Sequence, residues 1–183
     1  MIALSGQAVT AFRAPAWWRP LLFVAFLLAA QTSRGEEIYQ IKAAFIFNFT
    51  KFISWPAELE QAGGDLRLCL LDGNPFGDYV YQLNGRRVRN FYLRVSETKS
   101  RDQLSMCHIV YLSDPKVDSE LLSALASLPI LTISDVDGFM PAGGGISLFP
   151  ENERIRFDIN LQRLKSCGLD VSSKLLSLAR QVH

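Results

Sequence analysis

Histidine and cysteine are scarce in this chain, with two of the first and three of the second in 183 residues. His108 heads an apolar run and His183 is the last residue, so no local histidine pair can bind a metal or share acid–base work. No Cys-x-x-Cys brings two thiolates together, which removes the common zinc and thioredoxin-type motifs. A Gly-x-Ser-x-Gly elbow is missing, and so is the Lys-Ser/Thr that would make Gly143-Gly144-Gly145 a phosphate loop. Neither sign of charge is in excess: 19 Lys plus Arg face 18 Asp plus Glu, too balanced for the basic stripe of a nucleic-acid-binding protein. There are no repeats, low-complexity tracts or Pro/Ser-rich linkers to divide the chain. These absences nominate no catalytic residues, metal ligands or cofactor, and a hydrolase is the least favoured class.

What is present begins with an asymmetry. Residues 1–35 hold Arg13, Arg19 and Arg34 and no acid, which leaves sixteen basic and eighteen acidic groups in residues 36–183. Arg13 and Arg19 precede the apolar run Leu21–Ala30, and the chain turns polar at Gln31. That order of charged, apolar and small residues is the layout of a secretory signal peptide. A helix needs roughly 20 apolar residues to cross a bilayer. The run has ten. We therefore expect residues 1–35 to be a signal peptide cut between residues 30 and 36, and residues 36–183 to be one exported domain. In an oxidising compartment three cysteines read as one bridge and one leftover thiol.

Ile38, Ile41, Phe45, Phe49 and Phe52 recur at steps of three and four, predicting a mostly buried helix that stops before Trp55-Pro56. Leu66–Leu71, Arg89–Ser96, His108–Leu112 and Ile130–Ile133 predict four strands, with short helices at Asp78–Leu83 and Leu121–Leu128. Such alternation implies a single α/β domain with a mainly parallel sheet, Rossmann-like or flavodoxin-like, and helices on both faces. Ile146–Phe149 and Arg154–Ile159 are separated by only four residues, which predicts a C-terminal antiparallel hairpin. Asn160 caps a short helix ending at Gly168. Ser172 or Ser173 then starts a final helix whose buried stripe is Leu175, Leu176, Ala179 and Val182.

In a doubly wound sheet, ligands bind outside the carboxyl ends of the strands where strand order reverses. Asp72 and Asn74 follow the first strand and Ser113 and Asp114 follow the third, so these four mark a candidate small-ligand crevice. Phe139, Met140 and Pro141 lie in a glycine-rich loop and are a candidate partner surface, with packing against the sheet as the alternative. The helix from Ile38 to Phe52 is a second candidate, for dimer contacts, with core burial as its alternative. In a flavodoxin-like 2-1-3 order, Cys69 of the first strand and Cys107 at the start of the third are neighbours and can form a disulfide. That bridge would be a structural staple or a redox sensor, and it would leave Cys167 as the free thiol; a Cys69–Cys167 link is the competing pairing.

Tyr39-Gln-Ile-Lys-Ala-Ala-Phe-Ile-Phe-Asn-Phe-Thr-Lys-Phe-Ile-Ser-Trp-Pro56 resembles the opening signature of the YfiR family of exported bacterial proteins. Later blocks agree in order: Leu68–Gly77, Cys107–Ser113, Ile130–Asp135 with Gly138-Phe139, Arg154–Asn160 with Gly168-Leu169, and Ser172–Leu176. The resemblance covers residues 38–182. It implies a periplasmic α/β domain without known catalysis, found as a homodimer. By binding the periplasmic sensor region of an inner-membrane diguanylate cyclase, such a protein represses it and lowers cyclic di-GMP and biofilm formation. Other membrane sensor proteins are possible partners, and a periplasmic small-ligand sensor or carrier is the alternative function. Cys69 and Cys107 match a structural disulfide of the best-known member. That member's second bridge has no counterpart, because no cysteine lies between Cys107 and Cys167.

Overall fold

Pro56 divides the start of the chain: helix α1 (Trp18–Phe52) and the short strand β1 (Ile53–Ser54) precede it, and α2 (Ala57–Ala62) begins just after it. Proline fits there because its fixed φ suits a helix start and its missing N–H ends any continuing helix. The computed structural model describes residues 18–116 and 118–183, with side chains from Gly35 onward. Glu36–His183 forms one compact unit. The side chains of the expected signal peptide lie outside the described residues. Among the described residues, no helix is long and apolar enough to cross a membrane.

Strand β2 (Gly64–Leu71) is followed by a 3-10 turn at Gly77–Leu83, then β3 (Arg87–Val88) and β4 (Phe91–Thr98). A second 3-10 turn at Arg101–Met106 leads to β5 (Ile109–Leu112), α3 (Ser119–Leu125) and β6 (Leu131–Ser134). The chain ends with β7 (Ile146–Glu151), β8 (Arg154–Ile159), α4 (Leu161–Ser166), β9 (Asp170–Val171), α5 (Ser173–Leu176) and β10 (Gln181–Val182). Eight strands form one sheet in the order β10-β8-β7-β6-β5-β2-β4-β3. The run β4-β2-β5-β6-β7 is parallel throughout, so the expected 2-1-3 order is found in β4-β2-β5, and β6 and β7 extend it. The predicted hairpin is β7 and β8, joined antiparallel through Asn152 and Glu153, both at positive φ as a tight two-residue turn requires.

Side chains alternate across the strands and give the sheet two cores. Leu66, Leu68, Leu70, Ile109, Tyr111, Leu131 and Ile133 face Ala43, Ile46, Phe47 and Phe49 of α1, with Leu164 of α4. Cys69, Leu71, Val110 and Leu112 face Leu121, Leu122 and Leu125 of α3. Helices therefore cover both faces, as the composition of the strands implies. The α1 residues proposed above for dimer contacts are split: Phe49 is in the core, whereas Ile41 is 42% exposed.

Two expectations are corrected. The second strand is Phe91–Thr98 and not Arg89–Ser96, because Arg89 takes φ 52° and turns the chain between β3 and β4. The final helix stops at Leu176, and Gln181–Val182 is an edge strand parallel to β8. Val182 is accordingly 44% exposed and no part of a buried stripe. The strand wins because Asp158 organises it. Arg180 Nε lies 3.0 Å from Asp158 Oδ1, and the Gln181 N–H donates to the same oxygen at 3.0 Å. The Arg180 and His183 N–H groups donate to the Phe157 and Ile159 carbonyls at 2.9 and 2.8 Å. One more helical turn would leave that carboxylate, only 8% exposed, without its cation.

Candidate functional site

After β2 the chain goes to β4 on one side, and it later returns to β5 on the other, so strand order reverses between β2 and β5. That reversal opens a crevice at the carboxyl ends of the strands. A cavity of about 450 Å³ lies there, floored by Leu71, Leu112, Leu121 and Phe139. Its rim carries Asp72, Asp114, Asp118 and Glu120 against Arg101 and Lys116. Asp118 is the N-cap of α3, accepting the Leu121 N–H at 2.9 Å, and it pairs with Arg101. That backbone hydrogen bond first, and Arg101 second, hold its carboxyl below the usual range. With Asp118 and Arg101 matched, the rim keeps an excess of negative charge, which suits a ligand with a cationic group above an apolar body.

The four residues expected at this crevice divide in two. Asp72, held at φ 61° at the tip of β2, and Asp114 line it. Ser113 and Asn74 hold the loops. Ser113 Oγ donates to the Leu71 carbonyl at 3.0 Å. Asn74 Oδ1 accepts the Phe76 N–H at 3.0 Å, and its Nδ2 donates to the Gly77 carbonyl and to Glu97, each at 3.1 Å. Sequence position alone does not separate these roles, since all four are short polar residues after strands.

On the α1 side of the same strand ends lies a buried polar cluster that the sequence reading missed. Lys42 Nζ forms an ion pair with Asp135, just past β6, and the two side chains are only 7% and 14% exposed. The Lys42 ammonium also stands 4.4 Å from the centre of the Tyr39 ring. Burial, and then the Asp135 carboxylate, raise the Tyr39 phenol above its ordinary value. Tyr111 of β5 is fully buried. Its hydroxyl faces Asp135 without closing a hydrogen bond of normal geometry, and burial and that carboxylate keep it protonated. Phe76 packs edge-on to both tyrosines, with centroids 5.5 Å from Tyr39 and 4.6 Å from Tyr111. The available signal was Lys42 itself, one of the few polar breaks, with Asn48 and Lys51, in the apolar stretch Ile38–Phe52.

A family model described as YfiR/HmsC-like matches residues 39–180, from Tyr39 of this cluster to Arg180 beside β10. The chain belongs to the YfiR/HmsC-like family. The family is one of periplasmic, non-catalytic regulators acting on diguanylate cyclases. In this YfiR/HmsC-like chain Cys69 and Cys107 form a disulfide, with Cα atoms 6.0 Å apart, that ties β2 to the entry of β5. The competing Cys69–Cys167 pairing is thereby excluded. Cys167 is a buried free thiol whose Sγ lies 3.2 Å from the Leu164 carbonyl.

The glycine-rich loop gives a further correction. Phe139 is 1% exposed and belongs to the core on the α3 side, so it offers no surface to a partner. Its ring lies against Gly144, where any Cβ would collide with it. Met140 is half-buried and Pro141 exposed, and only these two of the three remain on the surface. The loop bends back because the Gly144 N–H donates to the Phe139 carbonyl at 2.9 Å, which closes the turn over the ring.

Proposed function

We propose that this protein is exported by cleavage between residues 30 and 36 and, as a homodimer, represses an inner-membrane diguanylate cyclase by binding its periplasmic sensor region. The observation that carries this reading is the family match across residues 39–180, which takes in nearly all of the Glu36–His183 unit. Deleting the gene is expected to raise cellular cyclic di-GMP, and restoring it should lower the nucleotide again. Unchanged cyclic di-GMP across growth conditions would sink the regulatory role. The exported protein's intact mass should place its N-terminus between residues 31 and 36, and a chain still starting at Met1 would remove the export step.

The crevice between β2 and β5 favours a second reading, in which a small ligand is the sensed signal. Its apolar floor and acidic rim select an amine with an apolar body, held by Asp72 and Asp114. One bound ligand at 100 times its Kd adds about 2.7 kcal/mol of stability. In a thermal-shift panel, such amines should raise Tm in the wild type and not in Asp72→Asn/Asp114→Asn. An equal shift in both proteins would place the ligand elsewhere.

A further inference from the structure

Helix α3 covers its face of the sheet only over part of the strands. Toward the β3 edge the same face is open to solvent: Asp65 and Arg67 of β2, Tyr92, Arg94 and Ser96 of β4, and Arg87 of β3 are all exposed. The register sets Asp65 beside Tyr92 and Arg67 beside Arg94, with Arg87 opposite Tyr92. Their strand neighbours Leu66, Val88, Phe91 and Leu93 are buried on the opposite face.

Three properties of this open face point to a partner. Tyr92 is 47% and Met106 55% exposed, the latter joined to Arg67 by a hydrogen bond from Nη1 to its carbonyl at 3.4 Å. Exposed tyrosine, methionine and arginine together are the residue types enriched at protein interfaces. The charge is one-sided: Arg94 pairs with Asp65 at 3.0 Å, while Arg67 and Arg87 form no ion pair among the described residues. No acid occurs anywhere in residues 79–96. Finally, a recess of about 250 Å³ opens beside Arg67, Ser96, Gln103 and Met106, enough to receive one side chain.

We propose that this face, built on Arg67, Arg87 and Tyr92, is the docking surface for an acidic segment of the membrane partner, an assignment that rests on the regulatory reading above. A second copy of the chain is a poor occupant, since Arg67, Arg87 and Arg94 outnumber Asp65 and two such faces carry the same net positive charge. A lipid surface has nothing to fill the recess and repels Asp65. The bound segment lays carboxylates on Arg67 and Arg87 and inserts a side chain beside Met106.

The test uses a gene-deleted strain complemented with the full-length wild type, Arg67→Glu/Arg87→Glu, Tyr92→Ala, or, as a control, Lys165→Glu at an exposed position of α4. Cyclic di-GMP is read alongside periplasmic protein level and the melting temperature of each purified protein. The charge-reversed variant and Tyr92→Ala should lose at least half of the repression at unchanged melting temperature, and Lys165→Glu should repress fully. Full repression by the folded charge-reversed variant, in a strain where deletion does raise cyclic di-GMP, overturns the docking surface and leaves the regulatory role standing. A deletion without effect removes both. Should the double reversal fail to fold, Tyr92→Ala and Arg67→Gln/Arg87→Gln carry the same comparison. Arginine-dependent co-sedimentation of the purified protein with phosphatidylglycerol vesicles would assign the face to lipid and overturn the proposal.

Discussion

Lys42→Met is expected to destabilise the domain by roughly 3–5 kcal/mol, the cost of breaking a buried ion pair by removing one partner. Asp135 would be left without a cation beside Tyr39 and Tyr111, its side chain only 14% exposed. The same pair joins residues 93 positions apart, so it also clamps α1 to the end of β6. Urea unfolding measures the loss as a lower midpoint at constant m. The double variant Lys42→Met/Asp135→Leu should recover most of it, because replacing both charges by apolar groups is often neutral. A single variant within about 0.5 kcal/mol of wild type, the range of ordinary surface substitutions, would show that the pair does not hold the helix.

Removing the Cys69–Cys107 bridge has the second large effect. It closes 38 residues, for which the loop-entropy model gives roughly 4 kcal/mol. Those residues include the 3-10 turns and all of β3 and β4, so the reduced chain must order one edge of the sheet without the link. Both sulfurs lie within the apolar core on the α3 side, and Cys69→Ala/Cys107→Ala therefore tests the link with little change in packing. The variant should unfold at a lower denaturant concentration than the oxidised wild type and should match the wild type after reduction. A loss below about 1 kcal/mol would mean that the pairing of β2 with β4 and β5 already restrains the loop in the unfolded ensemble. Cys167 has no part in this difference, and Cys167→Ser should leave the oxidised-minus-reduced gap unchanged.

Much of the architecture was legible along the chain because it is set by local periods. Short apolar runs alternating with helical stripes implied a mainly parallel sheet, and the flavodoxin-like 2-1-3 order expected of it is the observed β4-β2-β5. The same order set Cys69 beside Cys107, and the structure chose that bridge over the competing Cys69–Cys167 pairing. Asn160 and Gly168 bracketed α4 for reasons of capping alone, and Asn160 Oδ1 accepts the Arg163 N–H at 2.9 Å. The crevice was located by the reversal of strand order, although only Asp72 and Asp114 of its four expected residues line it.

From the chain alone came most of the elements, the parallel order of β4, β2 and β5, and the blocks that mark the family. Each depends on spacing within a few residues or on blocks in a fixed order. Tertiary structure alone decided which face of each element is covered and by what. Phe139 is core because Gly144 makes room above its ring. Gln181–Val182 is strand because Asp158 captures Arg180. Lys42 is buried because Asp135 meets it from the far end of the sheet, and Tyr92 is exposed because α3 stops short of β4. A period states that a residue lies on one side of a helix or strand, but the group that meets it there comes from tens of residues away.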